Sequence, residues 1–267
     1  MIHLSICIPI LKYSSRSSLC ISSALLYQSK LRLSSVSVEI IVLFADSVAS
    51  AFLCQYEHSG INYFSSPRNG IYDAFNILIC NSRGNFVLVL GDDDFLLPHK
   101  STIPLGRLLT SDSQALIIHG PILFGFSLSS SRLRPSHASR FLNLDSMRIN
   151  HPGMIVSRSI YNEYGLFSSS YSTAGDYEWV MRVINVAKFS KLADPYAFHR
   201  LGGASSNLSK SALMSHLHCL NAVRLHFPSL FIFALLARAL RYCLMCMRKS
   251  ILSLHSFRTF RSFYGLY

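Results

Sequence analysis

Residues 86–94 read FVLVLGDDD, and the reading of the fold turns on them. Phe86 to Leu90 is a short, uninterrupted apolar run, which reads as a strand buried on both faces. It leads directly into Gly91 and three consecutive carboxylates, Asp92, Asp93 and Asp94. Adjacent carboxylates repel, and at the end of a parallel sheet they face the crevice where open α/β folds bind ligands. A hard divalent cation such as Mg²⁺ or Mn²⁺ offsets that repulsion, because it takes oxygen ligands and shares them with substrate phosphates. A solvated acidic turn is the competing reading, since Asp is common in turns.

Upstream of this strand the chain alternates. Leu4 to Ile10 and Val38 to Phe44 (VEIIVLF) read as buried strands, and Ile61 to Phe64 as a shorter one. Helical patterns separate them at Ser17 to Leu31, Ala49 to His58 and Ile71 to Cys80. Strand and helix in regular alternation signal a parallel sheet covered by helices, an α/β fold. Further on, Ala115 to His119 reads as a strand, and Ser159 to Tyr164 and Asp176 to Val186 as helices. Two more helices are expected at Leu208 to Phe227 and Pro228 to Lys249, with Pro228 suited to a first turn.

Composition narrows the class. Of 267 residues half are hydrophobic and only 14% are charged, which excludes a disordered, solvating chain. The formal charge of +12 is unevenly spread: no carboxylate follows Asp194, while nine Lys and Arg do. The body before it holds sixteen basic and thirteen acidic residues, too near balance for a globally basic nucleic-acid binder. Seven scattered cysteines are no disulfide framework. Cys243 and Cys246 have zinc-ligand spacing, but one such pair on an apolar helix reads as packing. The opening MIHLSICIPI has no basic leader and reads as strand, so a reduced, cytoplasmic setting is expected.

SICIPI (Ser5–Ile10), EIIV (Glu39–Val42), GIYDAFN (Gly70–Asn76) and RGNFVLVLGDDD (Arg83–Asp94) resemble, in order and spacing, the family 2 glycosyltransferases of the GT-A fold. The likeness is to the bacterial polysaccharide-assembly branch. It resumes at HPGMIVSRSIYNEYGLF (His151–Phe167), GDYEWVMRV (Gly175–Val183) and HRLGGASS (His199–Ser206). The resemblance implies a catalytic domain over residues 1–206, with a mostly parallel sheet flanked by helices. It also implies an inverting, metal-dependent transfer of a sugar from a UDP-linked donor to a saccharide or lipid-linked acceptor. By the same likeness Asp92 and Asp94 hold Mn²⁺ or Mg²⁺ and the donor, with Asp93 between them, and Asp176 serves as catalytic base. That chemistry is coherent: a sugar hydroxyl is a poor nucleophile and needs a carboxylate to take its proton, while the leaving diphosphate needs positive charge. An N-terminal helix cap is the bland reading of Asp176.

Two positions depart from the pattern. Relatives place an Asp just after the second strand, against the nucleotide base; Phe44 stands there, and Asp46 follows two residues on. Either Asp46 serves from a shifted loop or base recognition is altered. Arg68 likewise replaces an Asp. Asp73 and Asn76 resemble donor-site residues, and His199 and Arg200 are placed to reach the metal or the diphosphate. His151 and Glu178 fall on the acceptor side. A sugar nucleotidyltransferase would want a Gly-rich loop after the first strand, where Leu11–Arg16 has no glycine. A degenerate transferase, or a protein that only binds membranes, is the other alternative.

Residues 207–267 form the C-terminal basic and apolar region. On a helical wheel Arg238, Arg241, Arg248 and Lys249 share one arc, and the rest is apolar. The expectation is an in-plane helix that offers this basic arc to anionic headgroups, placing the protein on the inner face of the cytoplasmic membrane. A helix packed on the catalytic domain is the alternative.

Overall fold

β1 (Leu4–Ile10) and β2 (Val38–Phe44) are buried along their whole length, as continuous apolar runs must be in a sheet covered on both faces. The computed structural model describes residues 2–97, 102–110, 116–201, 210–241 and 243. Between the two strands runs α1 (Ser15–Arg32), opened by Ser14, whose hydroxyl accepts from the Ser17 N–H. Then follow α2 (Ser50–Tyr56), β3 (Asn62–Ser65), α3 (Ile71–Asn81) and β4 (Phe86–Val89). These four strands pair in parallel in the order β4-β1-β2-β3, so the expected alternation is present.

The second half departs from simple alternation. It contains β5 (Phe95–Leu96), α4 (Thr102–Thr110), β6 (Leu116–His119), β7 (Ile122–Gly125), β8 (Arg132–Arg134) and α5 (Arg140–Asn143). β9 (Met154–Ser157), α6 (Arg158–Tyr164), α7 (Gly175–Val183), β10 (Lys188–Lys191), β11 (Ala197–Arg200) and α8 (Lys210–His226) complete it. β9 enters antiparallel between β4 and β6, giving a seven-stranded sheet β10-β6-β9-β4-β1-β2-β3. The remaining strands form a small sheet, β5-β11-β7-β8, attached where β4 ends.

Side-chain alternation along the parallel strands divides the core. Leu4, Ile6, Ile8 and Ile10 pack with α1 and Phe52 of α2, while Cys7, Ile41 and Leu43 pack with α3, α7 and α8. α8 and Ala234 belong to that second core, with α8 lying against α7.

The end of the sheet opposite the acidic turn is tied by a buried polar cluster. Glu39, only 6% exposed, accepts from Ser5 Oγ at 2.6 Å, from the Arg83 N–H at 2.5 Å and from Arg83 Nε at 3.1 Å. Ser5 Oγ in turn accepts from the Gly84 N–H at 2.8 Å. A Cβ on Gly84 would lie 2.5 Å from Ser5 Oγ and 2.6 Å from its backbone nitrogen, so only glycine fits.

Two arginines of the expected outward basic arc turn toward the domain instead. Residues 231–241 are helical, but Arg238 turns inward: it is 5% exposed, its Nε donates to the Leu144 carbonyl at 3.0 Å, and its guanidinium lies 4.9 Å from the centre of the Tyr177 ring. Arg241 Nη1 donates to Asp145 Oδ2 at 2.9 Å and to Ser146 Oγ at 2.6 Å. A carbonyl and an aromatic ring receive Arg238, and a carboxylate and a hydroxyl receive Arg241, so these two residues of the arc turn toward the domain. Arg248, Lys249 and Cys246 lie outside the described residues.

Replacing Glu39 strands the Ser5 hydroxyl and the Arg83 N–H in the interior. Glu39→Ala is therefore expected to cost about 2–4 kcal/mol of stability, read from chemical denaturation, whereas Glu163→Ala on the exposed end of α6 costs under about 0.5 kcal/mol.

Candidate active site

The acidic turn sits at the carboxyl end of β4, beside the carboxyl end of β1, where the order of the parallel strands reverses. Its three carboxylates have different surroundings. Asp94 is buried at 4% exposure, and its Oδ1 accepts from His199 Nδ1 and from the Arg200 N–H, each at 3.0 Å. Both donors belong to β11, so Asp94 joins the small sheet to the large one. Asp92 is partly open, and its Oδ2 accepts from Ser17 Oγ of α1 at 3.2 Å. Asp93 is partly open as well.

Electrostatics reflect this crowding. Burial, then the Asp93 charge, pushes the Asp92 carboxyl up to about 6, although the Ser17 hydroxyl pulls the other way. Burial and the charge of Asp94 raise Asp93 too. For His199 burial favours the neutral ring, but the hydrogen bond and charge of Asp94 outweigh it and hold the imidazole above its ordinary value. The buried Cys20 thiol, which donates to the Gly91 carbonyl at 3.4 Å, is raised well above its ordinary value by burial and by the same three charges.

Asp176 approaches from the opposite core. It lies in the first turn of α7, after Ala174 in the left-handed region at φ 57°. A non-glycine residue held there stores backbone strain, which surrounding structure must outweigh. Tyr72 of α3 supplies part of that hold: its hydroxyl donates to Asp176 Oδ1 at 2.9 Å, and its ring closes on Gly175, where a Cβ would lie 2.9 Å from ring carbons. Burial, then the neighbouring carboxylate, raises the Tyr72 phenol, which stays protonated as donor. His151 completes the wall. Its ring stacks on Phe75 at 5.2 Å, and burial lowers its pKa against the opposing influence of both Asp176 and Asp94. The charges of Asp176 and Asp94 both bear on this one imidazole.

The other expected residues divide. Asp46 is exposed on the loop after β2 and lines a cleft of about 550 Å³ with Lys12, Tyr13, Phe44 and Ser47. Arg68 reaches under the same loop to the Leu43 carbonyl at 3.4 Å, with Asp92, Asp46 and Asp73 as the charges around it. Arg200 has a buried Nε with no acceptor in the structure. Asp73 accepts from the Asn69 N–H at 2.8 Å and so caps α3. Asn76 binds both backbone groups of Phe167, donating to the carbonyl at 2.8 Å and accepting from the N–H at 3.0 Å. Asn76 thereby holds the Phe167 segment, whose ring lies 6.2 Å from that of His151. Glu178 is not grouped with the cleft: it is buried, with Oε2 on Arg182 Nη2 and Oε1 on His226 Nε2 at 2.8 Å. It ties α7 to α8. Tyr72 and Ser17 went unrecognised in the sequence, because their partners lie 104 and 75 residues away.

The raised Asp92 carboxyl makes the cleft's charge a cost to the folded chain. Because its folded value of about 6 exceeds the ordinary 3.8, the contribution is most favourable below pH about 4 and is lost as pH rises through about 6. Asp92→Asn is expected to be more stable than the parent at pH 7, by a few degrees in Tm, with the difference vanishing near pH 4. Equal Tm differences at both pH values would contradict this account.

No family model matches the chain, and no curated protein does. Solved structures do. The chain is similar to S. aureus TarS 1–349 in complex with UDP-GlcNAc, with a TM-score of 0.61 and 15% identity over 83% of this chain and 66% of that one. The structure of TarS 1–349 alone gives a TM-score of 0.58 over 83% and 65%, and the longer TarS gives 0.57 over 83% and 39%. The chain thus spans about two thirds of the length of the shorter structures it matches. With the sheet order, this likeness shows the architecture: the chain has a GT-A-type α/β fold, a mostly parallel sheet flanked by helices.

Proposed function

We propose that the protein is an inverting glycosyltransferase that moves a sugar from a nucleotide-sugar to a hydroxyl of a saccharide or lipid-linked acceptor in cell-surface polysaccharide assembly. The observation that carries this reading is the acidic turn Asp92–Asp94 at the carboxyl end of β4, where the order of the parallel strands reverses, with Asp176 held by Tyr72 at the start of α7. The complexes of TarS with UDP-GlcNAc and with UDP support a uridine nucleotide as the donor class.

In this reading the cleft by Asp46 receives the base. Arg68 and the unpartnered Nε of Arg200 face the diphosphate. Asp92 and Asp94 fit a hard divalent ion, Mn²⁺ or Mg²⁺, by the chemistry of their oxygens and by the repulsion that raises Asp92 and Asp93. Among the described residues no three His, Cys, Asp or Glu side chains form a ready-made cage, so donor phosphates would complete the coordination. When bound, such an ion neutralises charge on the leaving diphosphate. His199 spends Nδ1 on Asp94 and acts as its positioning residue. Asp176 Oδ2 is left to take the acceptor proton while Tyr72 holds Oδ1. The acceptor oxygen attacks the anomeric carbon, the bond from that carbon to the phosphate oxygen breaks, and the nucleoside diphosphate leaves with the electron pair. Attack opposite the leaving group inverts the configuration.

Two measurements test this. Thermal stabilisation by UDP should require Mn²⁺ and disappear in EDTA or in Asp94→Asn; full stabilisation in EDTA rejects the metal. Asp176→Asn should keep UDP affinity and lose about 10²–10⁴-fold in turnover, the usual weight of a positioned base. Collapse of UDP affinity with turnover intact would instead make Asp176 a donor-site residue.

A further inference from the structure

The helix at 231–241 is amphipathic in the reverse sense. On a soluble helix the charged side faces water and the apolar side faces the core. Here Ala234, Arg238 and Arg241 face the domain, while Ile232, Phe233, Leu236 and Leu240 are 71%, 60%, 64% and 62% exposed. Four large apolar side chains therefore stand in solvent on one face of three turns. Phe141 and Leu142 of α5, close in the chain to Leu144, which receives Arg238, are exposed as well. An apolar patch of this extent on a monomer marks an interaction surface.

The charge around the patch selects the partner. Arg140 lies over the Phe141 ring at 4.7 Å, Arg241 is half-exposed, and Arg224 of α8 is exposed. Asp145 is the nearby acid, and Arg148 and Arg241 already engage it. A second copy of the chain would bring these arginines against themselves. Residues 244–267 carry four Lys and Arg and no carboxylate, so they have the same sign and would be repelled in the same way. A bilayer with anionic lipid has both properties required, a hydrocarbon interior for the aromatic and aliphatic side chains and negative headgroups for the rim. No described helix is long and apolar enough to cross a membrane.

We propose that the protein docks on anionic membrane surfaces through the outward face of residues 231–241, inserting Ile232, Phe233, Leu236 and Leu240, while Arg238 anchors that helix to the catalytic domain. This reverses the orientation expected from the sequence, in which the arginines meet the lipid. The docking does not depend on the transferase reading, but it has a consequence for it. Arg238 rests on Tyr177, the residue after Asp176, so the docking helix is fastened to the helix that carries Asp176.

The test uses the full chain and vesicles of phosphatidylcholine with or without one-third phosphatidylglycerol. The parent is expected to co-sediment with the anionic vesicles and much less with the neutral ones. Ile232→Ser/Phe233→Ser/Leu236→Ser should weaken that binding at least about tenfold. Its Tm and its UDP response should stay unchanged, which separates this outcome from failure of the transferase reading. Phe233→Trp supplies a second readout, because the single native Trp179 is fully buried. The emission of the introduced indole should shift to the blue on anionic vesicles and be quenched by brominated acyl chains. The proposal is overturned if the parent stays in the supernatant, if the triple variant binds as tightly as the parent, or if vesicles leave the emission of the Phe233→Trp variant unmoved. It is also overturned if sedimentation velocity shows a dimer that the triple variant dissociates without any vesicle binding, since the face would then join two copies.

Discussion

A single buried carboxylate holds the architecture of the cleft. Asp94 is removed from water at the end of β4, and such a group is tolerated only when donors surround it. Those donors come from β11, which also pairs with β5 immediately after the acidic turn. His199 and Arg200 are thereby held against the acidic turn, alongside the pairing of β11 with β5. Asp92 and Asp93 then remain partly open and mutually repelled, an arrangement that costs stability in the empty protein and suits a site built to receive positive charge.

The opposing wall is assembled by a different means. Asp176 is aimed by strain and packing: a left-handed Ala174, a Gly175 pressed by the Tyr72 ring, and a phenol that occupies one carboxylate oxygen. Asn76 and Asp73, on the same helix as Tyr72, hold neighbouring loops and so keep that helix in register with α7. The GIYDAFN segment thus works mainly by positioning. Glu178, in the first turn of α7 with Asp176, fastens the helix to α8 through Arg182 and His226, which explains why a carboxylate so near Asp176 has no place in the cleft.

The basic C-terminal quarter also has a structural use. With no carboxylates of its own, it finds counter-charges and ring faces on the body of the protein: Asp145 for Arg241, and Tyr177 with Leu144 for Arg238. Turning the arginines inward leaves the aliphatic and aromatic side chains outside. A helical wheel records which residues share a face, but what that face meets depends on groups from elsewhere in the chain.

Much was legible locally. The four parallel strands, their helices and the acidic turn could be read because burial on both faces demands apolar runs, and a strand end demands a reason for three adjacent charges. The roles of Asp92–Asp94 and of Asp176 entered through resemblance. What the sequence by itself determined was the period and polarity of each element, which are properties of neighbours along the chain. The small sheet escaped it, because β5, β7, β8 and β11 are two to four residues long and exist only by pairing with one another. So did the Tyr72 bond to Asp176, the capture of Glu178 and the inward turn of Arg238. Each of these is decided by a partner at least 48 residues away or by three contacts arriving together, and only the tertiary structure supplies the donor, acceptor or ring that makes one orientation cheaper than another.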